Sequence, residues 1–83
     1  MPLYLDTHNH VPGLTGEAVA QAHARDVEVQ GKYGVSYLRY WYDEATGKVY
    51  CLVEAPSAQA AEDVHREAHG LVADVIQQVT EGA

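Results

Sequence analysis

The sequence predicts an α+β domain with the ferredoxin-like order βαββαβ, a four-stranded antiparallel sheet carrying both helices on one face. Three observations lead there. Glycine and proline punctuation divides the 83 residues into six segments with short joints. Two segments repeat their apolar residues at helical spacing, while the other four are short and rich in β-formers. The helical segments stand second and fifth in the order, and no internal repeat or low-complexity stretch intervenes, so residues 1–83 read as one domain.

Leu3 to His8 alternates as a half-buried strand does, with Leu3 and Leu5 on one side and Tyr4, Asp6 and His8 on the other. The loop Val11 to Leu14 ends it. Thr15 is placed to cap a helix, Glu17 suits its positive end, and Ala18, Val19, Ala22 and Val29 recur on one face as far as about Gly31. Val35 to Tyr42 and Val49 to Ala55 read as a hairpin, with Gly47 available for the left-handed turn position. Ser57 caps the second helix after Pro56, with Ala58, Ala61, Val64 and Ala68 as its buried stripe and Gly70 as its left-handed stop. Asp74 to Val79 supplies the last strand, a helical turn being the alternative.

Composition excludes several function classes. Five basic against twelve acidic residues give a net charge of −7, which repels nucleic acid and anionic membranes. Met1 to Asp6 has neither the basic start nor the apolar run of a signal peptide, and no stretch approaches ~20 apolar residues. The lone Cys51 rules out an intrachain disulfide and fits a reducing, cytoplasmic setting. Tyr33, Tyr37, Tyr40, Trp41 and Tyr42 crowd the hairpin, so whichever set faces away from the helices needs covering. A homodimer through the open sheet face is the expected cover.

Candidate chemistry rests on histidine. His65 and His69 stack on one side of the second helix, a spacing that preorganises two imidazoles for a divalent ion, and Glu62 lies on nearly the same side. The plainer reading makes them boundary residues, with His69 favoured as a cation near the helix C-terminus. His23 and Asp26 pair an imidazole with a carboxylate on the first helix. With both helices taken to run in the same direction, His23 and His65 lie at similar heights, but one points into the shared groove and the other away. A four-ligand site inside one subunit then needs a twisted sheet, a partner chain or water. His8 and His10 project to one side of a strand end, ~6.6 Å apart, as a candidate second site, with solvated loop residues as the alternative. The first and third strands are taken to be adjacent and parallel, which sets Glu54 near that pair and puts the group at the opposite end of the domain from His69. Cys51 either packs in an apolar strand or acts as a soft ligand.

The segments Asp6 to His8, Ala22 to Asp26, Tyr40 to Glu44, Cys51 to Pro56 and Val64 to Leu71 together resemble a family of small bacterial proteins that includes an actinobacterial nickel-binding, nickel-responsive member. The likeness extends over nearly the whole chain. It implies a ferredoxin-like homodimer that binds nickel through histidine and acidic side chains, with more than one ion per dimer. It points first to His65 and His69, next to His23 and Asp26, and then to Asp6, His8 and Cys51. Imidazole and carboxylate donors suit Ni²⁺, Zn²⁺, Cu²⁺ and Co²⁺ alike, and six-coordinate geometry completed by water favours nickel over tetrahedral zinc. Because neutral imidazoles are required, binding is expected to fail below about pH 6.

The leading reading is therefore a non-enzymatic protein that sequesters or handles nickel. Two others stay open: a small dimeric α/β-barrel enzyme of monooxygenase or isomerase type with a pocket between helices and sheet, and a plain dimeric interaction module. No phosphate-binding glycine loop, hydrolase nucleophile motif or DNA-binding element is present in the sequence.

Overall fold

The computed structural model describes residues 1–83. β1 (Leu3–His8), α1 (Gly16–Gln30), β2 (Ser36–Asp43), β3 (Lys48–Glu54), α2 (Ala58–Ala68) and β4 (Val75–Val79) follow in the expected order, with a 3-10 turn over Gly31–Tyr33 after α1. The last segment is a strand, not a helical turn. Both helix caps form as expected. Thr15 Oγ1 accepts from the Ala18 N–H and Ser57 Oγ from the Ala60 N–H, each at 3.1 Å, so that each helix has one of its orphan N-terminal donors satisfied.

The strands lie in the order β2-β3-β1-β4, and every neighbouring pair is antiparallel. This corrects the expectation that β1 and β3 run parallel. Leu3 pairs with Glu54 and His8 with Val49, which places Glu54 at the opposite end of β1 from His8. The helix directions change with it: α1 returns antiparallel to β1 and α2 antiparallel to β3, so the two helices run antiparallel to each other. Displacement from the apolar stripe in the same rotational sense, an obstacle on parallel helices, turns both polar faces into one groove on antiparallel ones.

β2 carries a bulge between Tyr37 and Arg39 that the sequence pattern does not announce. Tyr37, Tyr40 and Tyr42 stand opposite Val53, Cys51 and Val49 on the buried side of β3, whereas Arg39 and Trp41 stand opposite Leu52 and Tyr50. Leu38 has no partner. One extra residue reverses the alternation, so three tyrosines of both parities share the helix-facing side. Trp41 is left on the other face, 49% exposed.

The core is built from small side chains: Val19 and Val29 of α1, Ala61 and Val64 of α2, Val49 and Val53 of β3. The largest fully buried side chains are His65, Val53, Val64 and Asp6. Two of the four are ionisable, so packing the fold and building the site are one problem.

Two glycines separate the conformational cost of a turn from its steric cost. Gly47 has φ +80°, and a Cβ there would come within 2.7 Å of His10 Nδ1 and 3.2 Å of the Val11 backbone nitrogen; Gly13 has φ +69° with nothing within 4 Å. Gly13→Ala is expected to lose about 1 kcal/mol for the left-handed backbone alone. Gly47→Ala is expected to lose on the order of 2–3 kcal/mol because the His10 loop must also move. Urea denaturation compares the two, and equal losses would show that the loop gives way freely.

Candidate metal centre

Strand alternation and two helix stripes converge on one point. β1 turns Asp6 and His8 toward the helices, and β3 places Cys51 directly opposite Asp6. α2 buries His65 together with Ala61, Val64 and Ala68, and α1 buries Asp26 between Val19 and Val29. Asp6, Asp26 and His65 are all at most 2% exposed.

The His65 ring is the hub. Its Nδ1 lies 2.8 Å from Asp26 Oδ1, and its Nε2 lies 2.9 Å from Asp6 Oδ2 but out of line for a hydrogen bond. Tyr37 stacks on the ring at 4.6 Å between centroids, and its hydroxyl is shared between Asp6 Oδ2 at 3.0 Å and the Ala61 carbonyl oxygen at 3.1 Å. His8 and His69 tilt against the same ring at 5.1 and 4.8 Å. His8 Nε2 lies 3.6 Å from Asp6 Oδ1, and His69 Nε2 lies 3.1 Å from Asp26 Oδ1. Two buried atoms, Asp6 Oδ1 and His65 Nε2, have no hydrogen-bond partner.

Proton affinities follow from that geometry. Burial alone would push His65 down, but the Asp26 hydrogen bond and the negative charges of Asp6 and Asp26 outweigh it and raise the ring to about 9. Burial would raise Asp26, yet its bonds from His65 and His69 leave it below the ordinary carboxylate value. His8 is lowered because burial exceeds the attraction of Asp6. Burial and then the Asp6 charge push the Cys51 thiol and the Tyr37 hydroxyl upward, so both keep their protons.

Of the residues singled out from sequence, the structure brings together Asp6, His8, Cys51 and His65, whose donor atoms all lie within 4.8 Å of one another. On the other side of the shared His65 ring it brings together Asp26, His65 and His69. His23 and His10 belong to neither group, although His23 lines the same cavity as His8 and His69. His23 stacks on Tyr40 at 4.8 Å, and His10 Nδ1 lies 3.2 Å from the Thr46 carbonyl oxygen over the hairpin turn. His8 therefore meets His65 and not His10, and His8 and His69 line the same cavity where separate ends of the domain were expected. Tyr37, which fixes Asp6 and flanks His65, went unread as a site residue because only the β2 register and its bulge bring it there.

The two donor groups are chemically unequal. In the outer one, Asp26 Oδ1 already bonds His65 Nδ1 and lies 3.1 Å from His69 Nε2. The inner one contains both orphaned atoms. Its spacings of 2.9 and 3.6 Å bracket the ~3.0–3.4 Å that separates neighbouring donors bound ~2.1 Å from one ion. A cavity of about 70 Å³ reaches His8, Cys51 and His65. Its lining is mostly apolar, with Leu14, Val19, Val49 and Leu71 beside the imidazoles.

The raised His65 pKa makes stability pH-dependent. A group whose affinity for protons is higher folded than unfolded stabilises fully below its unfolded value, near 6.5, and that stabilisation is lost as pH rises through about 9. Metal-free protein is expected to lose on the order of 3 kcal/mol between pH 6.5 and 9.5. Asp26 and His8 act on the acid side, where protonation costs the fold, so stability should peak near neutrality. Urea melts across pH 5–10 check this, and a flat or rising alkaline limb would contradict the buried imidazolium.

With respect to known proteins, the chain matches the family described as nickel responsive protein SCO4226-like over residues 4–79, a span that includes both donor groups. It is similar to the crystal structure of SCO4226 from Streptomyces coelicolor A3(2), with a TM-score of 0.90 and 38% sequence identity, covering 98% of this chain and 99% of that one. No curated protein matches. From fold, sequence and coverage alike, the chain belongs to the SCO4226-like family of nickel responsive proteins.

Proposed function

We propose that this protein binds a divalent transition ion, nickel foremost, and sequesters or handles it in the cytoplasm as a homodimer. The observation that carries the reading is the pair of orphaned donors, Asp6 Oδ1 and His65 Nε2, buried side by side within reach of His8 and Cys51. An unpaired buried carboxylate oxygen and imidazole nitrogen are expensive to keep, and a cation between them would satisfy both. The name of the family supports nickel over the other ions that the donors accept.

Asp6, His8, His65 and Cys51 would hold the ion, and Asp26 would keep the His65 ring turned toward it. Cys51 retains its proton beside Asp6, so its part depends on an ion displacing that proton. His65 likewise gives up a proton, which moves the expected pH threshold for binding upward from about 6 toward 9.

The dimer reading is supported by the outer sheet face. The strand registers set Leu3, Leu5, Trp41, Tyr50, Leu52 and Val75 on the side away from the helices. That row of apolar side chains suits a second copy of the same surface.

Calorimetric titration of chelator-treated protein with Ni²⁺, Zn²⁺ and Cu²⁺ tests the first half. Asp6→Asn and His65→Ala are expected to weaken nickel binding at least about 100-fold, by loss of a donor and of its geometry, and His10→Ala to leave it unchanged. No binding tighter than millimolar for any ion would end the reading. Sedimentation tests the second half: the native chain should run as a dimer and Leu52→Glu as a monomer, and a native monomer at micromolar concentration would refute it.

A further inference from the structure

We infer that His69, the second member of the helical histidine pair, is a positioning residue that holds Asp26 against His65 and does not itself bind the ion, an inference that rests on the ligand set proposed above. α2 closes with the N–H groups of His69 and Gly70 both donating to the His65 carbonyl, at 3.1 and 2.9 Å. Gly70 then takes φ +78°, turning the chain back so that the Leu71 N–H donates to His69 Nδ1 at 3.1 Å. A nitrogen that accepts has its lone pair free, so the neutral ring carries its proton on Nε2.

That Nε2 faces Asp26 Oδ1 at 3.1 Å, the same oxygen that accepts from His65 Nδ1 at 2.8 Å. Asp26 is thus bonded by one ring and closely faced by the other, and the remaining nitrogen of His65 lies 2.9 Å from Asp6 Oδ2. For His69 to coordinate through Nε2, it would have to release its proton or the Leu71 bond, and Asp26 would lose that close contact. Carboxylates commonly orient a metal-binding imidazole; here the orienting carboxylate is itself oriented by a second imidazole anchored to the backbone of the helix end. The i, i+4 spacing that suggests two ligands thus yields one ligand and one anchor.

Long-range proton–nitrogen NMR on labelled protein, first metal-free and then loaded with cadmium-113, reads the assignment directly. His69 is expected as the Nε2–H tautomer in the metal-free protein, and the Nδ1–H tautomer would overturn the inference. On loading, cadmium coupling is expected on His8 and His65 and absent from His69; coupling on His69 would overturn it. Failure of any ion to bind would remove the proposed ligand set, while the metal-free tautomer would still decide whether His69 secures Asp26. In nickel titrations, His69→Ala is expected to weaken binding about 10- to 100-fold, and His69→Gln, whose amide can donate to Asp26, to recover most of that loss. A His69→Ala variant as damaged as His65→Ala, or a Gln variant no better than Ala, would also refute the positioning role.

Discussion

One imidazole ties four elements of this domain together. His65 projects from α2, bonds Asp26 of α1, faces Asp6 of β1 and stacks on Tyr37 of β2. Its charge lies between two buried carboxylates, each of which would cost several kcal/mol if left alone in the interior. Small valines and alanines fill most of the surrounding core and discriminate weakly between alternative packings. The relative placement of helices and sheet therefore depends on an electrostatic match as much as on shape.

This arrangement joins occupancy to stability. A cation that settled between Asp6 and His65 would take over the part that a proton plays in the fold as it stands, so binding and folding would draw on the same charges. A ligand bound only by the native state stabilises it by mass action. The outer relay through Asp26 and His69 would persist in both states, which lets the inner donors change partner without a rearrangement of the helices.

Much of the architecture was legible because it is written locally. Leu3 to His8 matched its strand residue for residue, both caps fell on Thr15 and Ser57, and Gly47 and Gly70 took the left-handed positions their neighbours required. Strand direction was not local information. With β1 and β3 taken as parallel, Glu54 was set beside His8 and the histidines were split between two ends, whereas the antiparallel register collects His8, His65 and Cys51 around Asp6. Helical spacing placed His65 and His69 on one side of α2 but could not show that the Nδ1 of one ring meets Asp26 and the Nδ1 of the other takes the Leu71 N–H. Tyr37 was visible only as one aromatic among several.

The unpaired Leu38 sets a phase for everything after it in β2. It works as a one-step offset in a two-step alternation, and the inner wall beside α1 is read from the offset frame. A regular strand that took Leu38 into the ladder would swing Arg39 and Trp41 beneath the helices and turn Tyr40 and Tyr42 outward, exchanging a phenolic lining for a guanidinium and an indole, whereas deleting Leu38 would remove the bulge and leave both tyrosines facing inward. A slip of register in this strand would rewrite chemistry, while a change of length in the loop around Gly13 would alter only slack.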